Sequence, residues 1–221
     1  MTSQDFIDHV ISTLSLWGVE VELSPSSQVY TLPNNEGLAC SGFFSEFPKP
    51  RLAVATGKSP DQWLAILAHE FSHACQWKEK SSLWGNLFDD WGCGQEEASD
   101  ALDRWLEGEE WNEEKLEDIV ARIRDIEMDC EKRVVDLIDR FSLPLKKTEY
   151  IQKANAYVFF YNQVKKTRKW YEKGQAPYEI EDVWKQAPCH FIEGNTTPHT
   201  LQASFDKYYP QVALSRLAPK I

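Results

Sequence analysis

The sequence predicts an α+β fold that is mostly α-helical. Short runs that alternate apolar and polar residues lie near the N-terminus, whereas beyond Gly85 apolar residues recur at steps of three and four. The chain has 221 residues, of which 42% are hydrophobic and 13% are aromatic, so it can bury a core without disulfides or a structural metal. We therefore expect an N-terminal helix and a small sheet, then one well-capped helix, and a helical C-terminal half.

The first sixty residues supply the predicted N-terminal helix and sheet. Residues 3–17 collect their apolar side chains on one side, which is typical of an amphipathic helix. Residues 19–23 alternate valine or leucine with glutamate, which predicts a half-buried strand. Further strands are predicted at 28–32, 37–44 and 52–56, with a turn at Pro33-Asn34-Asn35.

The next helix has a well-defined start. Ser59 can cap it, Pro60 takes the first helical position and Gln62 the third. Neither Gly nor Pro then interrupts the chain until Gly85. Three more helices are predicted over roughly 95–108, 112–142 and 148–173, followed by short surface elements.

Charge and cysteine content exclude several classes of protein. The net charge of −11 argues against general nucleic-acid binding, which relies on a basic surface. No apolar stretch reaches the length of a membrane span, and the N-terminus shows no secretory signal. The cysteines are scattered without a Cys-x-x-Cys pair, so we expect free thiols and a cytoplasmic location. They are Cys40, Cys75, Cys93, Cys130 and Cys189.

One motif carries chemistry, since His69-Glu70-Phe71-Ser72-His73 matches H-E-x-x-H. Residues four apart share one helix face, so both imidazoles can reach one ion. Zinc accepts two histidines as part of a tetrahedral site, and Glu70 can then act as the base that deprotonates the attacking water. The alternative is a pair of structural histidines, but chance would produce this pattern in only about one such sequence in a hundred.

A third zinc ligand must come from elsewhere in the chain. In the extended motif H-E-x-x-H-x-x-G-x-x-H, the Gly position falls on Gln76 and the last His position on Glu79, so this variant is excluded. The helix predicted over 112–142 offers a better candidate, because Glu127 lies in the middle of its apolar face. A buried carboxylate needs a cation or hydrogen-bond donors, and a zinc ion with two neutral imidazoles supplies the cation.

Neighbours of Glu127 fill the remaining positions of the predicted site. Glu131, one turn further on, is placed to accept the second N–H of a zinc-bound histidine. Two alternatives stay open for the third ligand, namely Glu131 itself and Cys130, which lies on the same apolar face. In a further interpretation, Glu127 pairs with an arginine or lysine at the edge of the core.

His69, Glu70 and His73, with a later glutamate on a following helix, resemble the gluzincin metallopeptidases, the thermolysin-like group. The resemblance implies that Glu127 is the third zinc ligand. It also implies that the acid four residues later orients a zinc-bound histidine, and Glu131 stands there in place of the usual aspartate.

The short N-terminal half is similar to the compact gluzincins of bacteria and their phages, including those that cleave repressors. That group carries an Ala-Asn pair close behind the third-ligand glutamate, whereas this chain has only Ala154-Asn155 on the next helix. The family binds substrate backbone along an edge strand before the motif helix, a place that Leu52–Thr56 fits. We predict a zincin-like catalytic core over 1–145 and a helical extension over 146–221 packed on it, in a bacterial cytoplasm or, for a phage protein, that of its host.

The resulting expectation is a zinc-dependent metallopeptidase that hydrolyses a protein or peptide substrate. Gluzincins commonly use a histidine or tyrosine to stabilise the oxyanion, which suggests Tyr157 or Tyr161, with His190 and His199 as alternatives. Two other hypotheses stay open. One is a zinc protein without peptidase activity, either an H-E-x-x-H hydrolase of another substrate or a degenerate enzyme that serves as an interaction module. The other is an acidic, metal-free helical interaction protein.

Overall fold

The computed structural model describes residues 2–32, 36–91 and 94–211. The turn predicted at Pro33–Asn35 lies outside these residues, as does one of the five cysteines, Cys93. The described chain confirms the predicted class, α+β and mostly α-helical, with one helix and short strands first and mainly helices in the remainder.

Eight helices and seven strands follow one another along the described residues. In chain order they are α1 (Ser3–Trp17), β1 (Glu20–Ser24), β2 (Val29–Leu32), β3 (Glu36–Cys40), β4 (Gly42–Ser45), β5 (Arg51–Ala55), α2 (Pro60–Lys78), α3 (Ser82–Gly85), β6 (Phe88–Asp90), β7 (Gln95–Glu97), α4 (Ala98–Glu107), α5 (Glu113–Phe141), α6 (Lys147–Thr167), α7 (Glu181–Trp184) and α8 (His199–Tyr208). The sequence pattern did not indicate β6 and β7, because three residues are too few to show an alternation.

The chain forms two compact units. The first comprises Met1–Phe88 and Asp125–Tyr150, and the second comprises Asp89–Arg124 and Ile151–Ile221. The H-E-x-x-H motif and all three candidates for the third ligand belong to the first unit, because that unit includes α2 and the C-terminal part of α5. The predicted division into a catalytic core and an extension at residue 145 stays a prediction.

A three-stranded sheet precedes the motif helix, and β5 lies at its centre. β1 pairs with β5 in parallel and β4 pairs with it antiparallel, so the strand order is β1-β5-β4. The expectation that Leu52–Thr56 is an edge strand is therefore wrong. Residues 52–55 are fully buried, as expected of a strand that has neighbours on both sides and is covered on both faces. The edges of this sheet are β1 and β4.

The strand predicted over 37–44 is in fact two strands separated at Ser41. β3 pairs antiparallel with β2, with Val29 opposite Cys40, whereas β4 pairs with β5 in the other sheet. The chain thus changes its pairing partner at one residue. Hydrophobic alternation could not reveal this change, because the backbone is extended on both sides of it.

Helix α2 begins as predicted, at Pro60. The backbone N–H of Ser59 donates to Oε1 of Gln62 at 3.3 Å, which gives a hydrogen-bond acceptor to one of the N–H groups that have none within the helix. The helix ends at Lys78, and Lys80 takes a left-handed conformation with a φ of 52° that prevents its continuation. One side of α2 packs into the core of the first unit through Leu64, Leu67, Ala68, Phe71 and Ala74.

The two long helices follow the sequence pattern, with one exception. α5 is one residue shorter at each end than the predicted range of 112–142. α6 ends at Thr167 and not at residue 173, because Arg168 adopts a φ of 56°. The guanidinium of Arg168 donates to the backbone carbonyl of Trp105 at 2.8 Å, which holds the chain in this turn. Among the described residues, no helix combines the length and the apolar character needed to cross a lipid bilayer.

Gly42 allows β4 to lie directly against α2. A Cβ built at this position would meet Cγ2 of Ile66 at 2.5 Å, and both the backbone oxygen of Ala53 and Cγ of Glu70 at 3.2 Å.

We predict that Gly42→Ala lowers the free energy of unfolding by about 1–3 kcal/mol, because the β-branched side chain of Ile66 on α2 has little rotamer freedom to move aside. Urea denaturation measures this loss of stability. Gly85→Ala is the control, since an added Cβ there meets no atom within 4 Å, and an equal loss in both variants would contradict the prediction.

Candidate metal centre

Two histidine rings on α2 face each other in the first unit. Nε2 of His69 lies 3.1 Å from Nε2 of His73, and the ring centroids are 4.7 Å apart. The four-residue spacing on an α-helix brings the two rings to the same face. Both side chains are mostly buried, with 20% and 14% of their surface exposed. The helix therefore concentrates two nitrogen donors at one point.

Glu127 on α5 completes a triangle of donor atoms. Its Oε2 lies 3.6 Å from Nε2 of His69 and 3.7 Å from Nε2 of His73. A zinc ion that binds ligands at about 2.0–2.1 Å with tetrahedral angles holds those ligands about 3.3–3.4 Å apart. A triangle with the observed sides contains a point about 2.0 Å from all three corners. The three donor atoms therefore fit a zinc ion.

Glu131 contacts the second nitrogen of His69, and Tyr150 in turn holds Glu131. Nδ1 of His69 lies 3.2 Å from Oε1 of Glu131, and the hydroxyl of Tyr150 donates to the other oxygen of that carboxylate. Burial raises the pKa of Tyr150 well above its usual range, and the charge of Glu131 raises it further, so this hydroxyl remains a donor. The contact to His69 is the one expected of Glu131, whereas the sequence pattern did not indicate Tyr150 as a member of the site. Together they direct Nε2 of His69 toward Glu127.

Cys130 is close to His69, but behind its ring. Ligand atoms of His69, His73 and Cys130 lie within 4.8 Å of one another, so these three are an alternative metal-binding group. The sulfur atom, however, lies 3.5 Å from Nδ1 and 3.3 Å from the backbone oxygen of His69. Because Nδ1 and Nε2 of an imidazole point in different directions, a sulfur beside Nδ1 is poorly placed to join an ion between the two Nε2 atoms. The geometry favours Glu127. Burial also raises the pKa of Cys130 to about 12, which keeps the thiol neutral.

Gln76 is a member of the site that the sequence pattern did not reveal. It is fully buried on α2, and its Oε1 lies 2.9 Å from Nδ1 of His73. Its amide nitrogen donates to the backbone carbonyl of Ile126 at 3.0 Å and to Oδ2 of Asp129 at 2.7 Å. In the sequence, position 76 stood out only for lacking the glycine of the extended motif. The usable signal was its three-residue spacing from His73, which places both side chains on one helix face.

Glu70 is buried beside the two histidines, with 9% of its surface exposed. Strand β4 lies beside it, since a Cβ built on Gly42 would be 3.2 Å from Cγ of Glu70. Burial raises the pKa of Glu70 above its ordinary value, although the charges of His69 and His73 oppose this effect. A carboxylate with a raised pKa binds a proton more readily, which is what a general base near neutral pH requires.

The two histidines hold protons more tightly than a histidine in water. Burial lowers the pKa of His73, but the charges of Glu127 and Glu70 and the hydrogen bonds to Glu127 and Gln76 together outweigh burial and raise it to about 9. Burial likewise lowers the pKa of His69, but its hydrogen bonds to Cys130 and Glu131 and the charge of Glu131 raise it well above its usual range. Because the two Nε2 atoms are only 3.1 Å apart, they can hold one proton between them. A metal ion that binds both nitrogens must displace this proton.

Aromatic side chains lie on the His73 side of the site. The ring of Trp84 on α3 is 6.4 Å from the ring of His73. Phe44 lies 5.8 Å from Trp84 and 5.5 Å from Trp77, again between ring centroids. All three aromatic residues are half-buried, so they add apolar surface next to the donor triangle.

The residues suggested for stabilising the oxyanion lie in the second unit. Tyr157 and Tyr161 are on α6, and their hydroxyl oxygens are 3.4 Å apart. The ring of Tyr157 also lies 6.0 Å from the ring of Tyr178. His190 and His199 are exposed. A catalytic role for any of these residues stays a prediction.

We predict that the wild-type chain binds one zinc ion, and that both His73→Ala and Glu127→Ala lose it. Each variant removes one corner of the donor triangle and leaves two ligands, too few for a tight site. Zinc content after dialysis, measured by inductively coupled plasma mass spectrometry, checks this. Cys130→Ala should keep its zinc, and so should Asp136→Ala, which removes an exposed acid on the same helix as Glu127. Loss of zinc in Cys130→Ala with retention in Glu127→Ala would show that Cys130, and not Glu127, is the third zinc ligand.

We also predict that zinc binds more tightly as the pH rises. The raised pKa, about 9 for His73, means that the histidine pair keeps its proton at neutral pH. This proton competes with zinc below that pH and is lost above it, so apparent affinity should fall up to about tenfold for each pH unit below about 9. Titration calorimetry in buffers of different ionisation enthalpy should detect release of at least about one proton per ion. Affinity that does not change between about pH 6 and about pH 8 would contradict the prediction.

Comparisons with known proteins give no relative of this chain. No protein-family model matches it, and neither does any curated protein or any solved structure. The resemblance to the gluzincins consequently rests on the sequence motifs, namely His69, Glu70, His73, Glu127 and Glu131. The function is therefore inferred from these donor atoms and their surroundings.

Proposed function

We propose that this chain is a zinc-dependent metallopeptidase that hydrolyses peptide bonds in a protein or peptide substrate. The proposal is carried by the triangle of Nε2 of His69, Nε2 of His73 and Oε2 of Glu127, with sides of 3.1, 3.6 and 3.7 Å. A buried carboxylate, Glu70, follows His69 directly on the same helix. A metal site with three protein ligands and an adjacent base is the arrangement of a hydrolytic zinc centre.

The residues of this site divide the chemistry among them. When bound, zinc supplies a Lewis acid that lowers the pKa of water toward about 7 and polarises a carbonyl oxygen. Two neutral histidines and one carboxylate would leave a divalent ion with a net positive charge. This charge would favour binding of the carbonyl oxygen next to the scissile C–N bond. Glu70 takes the proton of the attacking water and delivers it to the leaving amine. Glu131 and Tyr150 keep the ring of His69 in place meanwhile.

The substrate backbone has an edge available next to this site. β4 pairs with β5 on one side, and it is the last strand of its sheet within the described residues. A Cβ built on Gly42 in β4 would lie 3.2 Å from Cγ of Glu70, so the strand runs past the proposed catalytic carboxylate. An extended peptide can add to such an edge through backbone hydrogen bonds. We therefore propose that β4, and not β5, binds the substrate.

The aromatic residues beside His73 indicate which side chains the substrate carries. Phe44, Trp77 and Trp84 together present apolar rings that are only half-buried. Such surface binds apolar groups better than charged ones, because contact removes both surfaces from water. We propose a substrate with a large apolar side chain close to the scissile bond.

The state of the cysteines supports a proposal about the compartment. Four of them, namely Cys40, Cys75, Cys130 and Cys189, are free thiols. Free thiols persist where glutathione and thioredoxin keep them reduced. We therefore propose that the enzyme acts in the cytoplasm.

We predict that Glu70→Gln keeps zinc but loses hydrolysis by about 10²–10⁴-fold, because an amide cannot take the proton of water. The assay incubates the zinc-loaded protein with a mixture of cellular peptides and detects new termini by mass spectrometry. Glu20→Gln is the control, since it makes the same change at an exposed position on β1. Undiminished cleavage by Glu70→Gln would show that Glu70 is not the general base.

The same assay separates the competing functions. Zinc bound by the wild type without any cleavage would favour a zinc protein without peptidase activity, either a hydrolase of another substrate or an interaction module. No zinc bound even after reconstitution would instead favour an acidic, metal-free interaction protein. Both of these outcomes would overturn the peptidase proposal.

A further inference from the structure

The feature of the first unit that the proposed chemistry does not yet use is the glutamine amide behind His73. We propose that Gln76 is the positioning residue for His73, and that Asp129, held by Arg133, fixes the orientation of the Gln76 amide. Together these residues direct Nε2 of His73 at the ion, and they reserve the lone pair of the neutral ring for that nitrogen. This role rests on the zinc site proposed above.

The Gln76 amide can take only one orientation. Its nitrogen has two N–H groups, and both have acceptors, the backbone oxygen of Ile126 at 3.0 Å and Oδ2 of Asp129 at 2.7 Å. Turning the amide over would place its oxygen against these two acceptor oxygens and leave the buried nitrogen facing His73. Because Gln76 is fully buried, no solvent would compensate the lost hydrogen bonds. The oxygen of the amide must therefore face His73.

This orientation decides which nitrogen of His73 carries the proton. An amide oxygen only accepts hydrogen bonds, so Nδ1 of His73, 2.9 Å away, must be the N–H donor. A neutral imidazole has one N–H, and the lone pair is then left on Nε2. Nε2 is the atom 3.7 Å from Oε2 of Glu127. Once the shared proton is displaced, Gln76 thus leaves the lone pair of His73 on the nitrogen that faces the ion.

Asp129 and Arg133 anchor the amide from α5. Oδ2 of Asp129 accepts both from Gln76 and from Nε of Arg133, at 2.7 Å in each case. Arg133 also reaches Glu79, just past the end of α2, at 2.9 Å. The network therefore runs from a fully buried amide to the surface, where about half of the Glu79 side chain is exposed, at 55%.

The same turn of α5 carries the proposed metal ligand Glu127 and both residues that accept hydrogen bonds from the Gln76 amide. Ile126 precedes Glu127 by one residue, and Asp129 follows it by two. Any sliding of α5 along α2 would break the hydrogen bonds of Gln76 while it displaced Glu127. The amide therefore locks the two helices at the register that the donor triangle requires.

The test compares Gln76→Met with Gln163→Met in the full-length chain. Gln163 on α6 is an equally buried glutamine whose amide is also engaged, by the carbonyl of Tyr209 at 2.7 Å and by Gln202 at 2.9 Å. Gln163→Met thus reproduces the cost of removing a buried amide without a histidine contact. Two quantities are measured, the zinc dissociation constant by chelator competition and the protonation of the His73 nitrogens by long-range ¹H–¹⁵N NMR, with and without zinc.

We expect Gln76→Met to raise the zinc dissociation constant by about 10–100-fold. In the zinc-free chain, at a pH high enough for the ring to be neutral, we expect the proton of His73 to move in part from Nδ1 to Nε2. Gln163→Met should match the wild type in both measurements. An unchanged tautomer in Gln76→Met, or an equal loss of affinity in Gln163→Met, would overturn the proposal. If the wild type binds no zinc, the peptidase proposal fails, but the NMR spectra still decide whether Gln76 sets the tautomer.

A second pair of variants keeps the test decisive if Gln76→Met does not fold. Asp129 is partly exposed, so its replacement is less disruptive. Asp129→Ala removes one anchor of the amide and should weaken zinc binding by a smaller factor than Gln76→Met. Asp129→Asn retains an acceptor oxygen and should restore affinity. Equal affinity in Asp129→Ala and the wild type would overturn the anchoring role.

Discussion

The first unit depends on the burial of several ionisable groups at one place, where α2 meets the C-terminal part of α5. A buried charge costs several kcal/mol unless it is paired and hydrogen-bonded. Glu131 is 5% exposed and accepts from both His69 and Tyr150. Glu127 lies within 3.7 Å of both imidazole Nε2 atoms. The two helices are thus held together by polar contacts that only one arrangement of their side chains satisfies.

This constraint explains why residues without any reactive atom belong to the site. Gln76 has no chemistry to perform, yet its amide is used completely by His73, Ile126 and Asp129. Gly42 has no side chain, and its small size lets β4 approach Glu70. A site that must hold donors within a few tenths of an ångström needs such support, since unsupported side chains occupy several rotamers.

Helical periodicity accounts for most of what could be predicted from the sequence. The four-residue spacing of His69 and His73 made a shared face a geometric necessity once the segment was helical. The apolar pattern of α5 placed Glu127 on a buried face, and one further turn placed Glu131 beside it. Each of these inferences concerns residues within one element, where 3.6 residues per turn relates sequence position to direction.

Only the tertiary structure decided which atoms of different elements meet. Cys130 and Glu127 share one helix face, and the position of α5 relative to α2 put the sulfur behind the His69 ring and the carboxylate at the two Nε2 atoms. The central place of β5 depended on β1 and β4 reaching its two sides, which no local pattern records. The sequence by itself determined the helices and the faces that their polar residues occupy. The packing of one helix on another then decided which of these side chains meet. Helical periodicity gives the direction of each side chain around its own helix axis, but it carries no information about the position of the neighbouring helix.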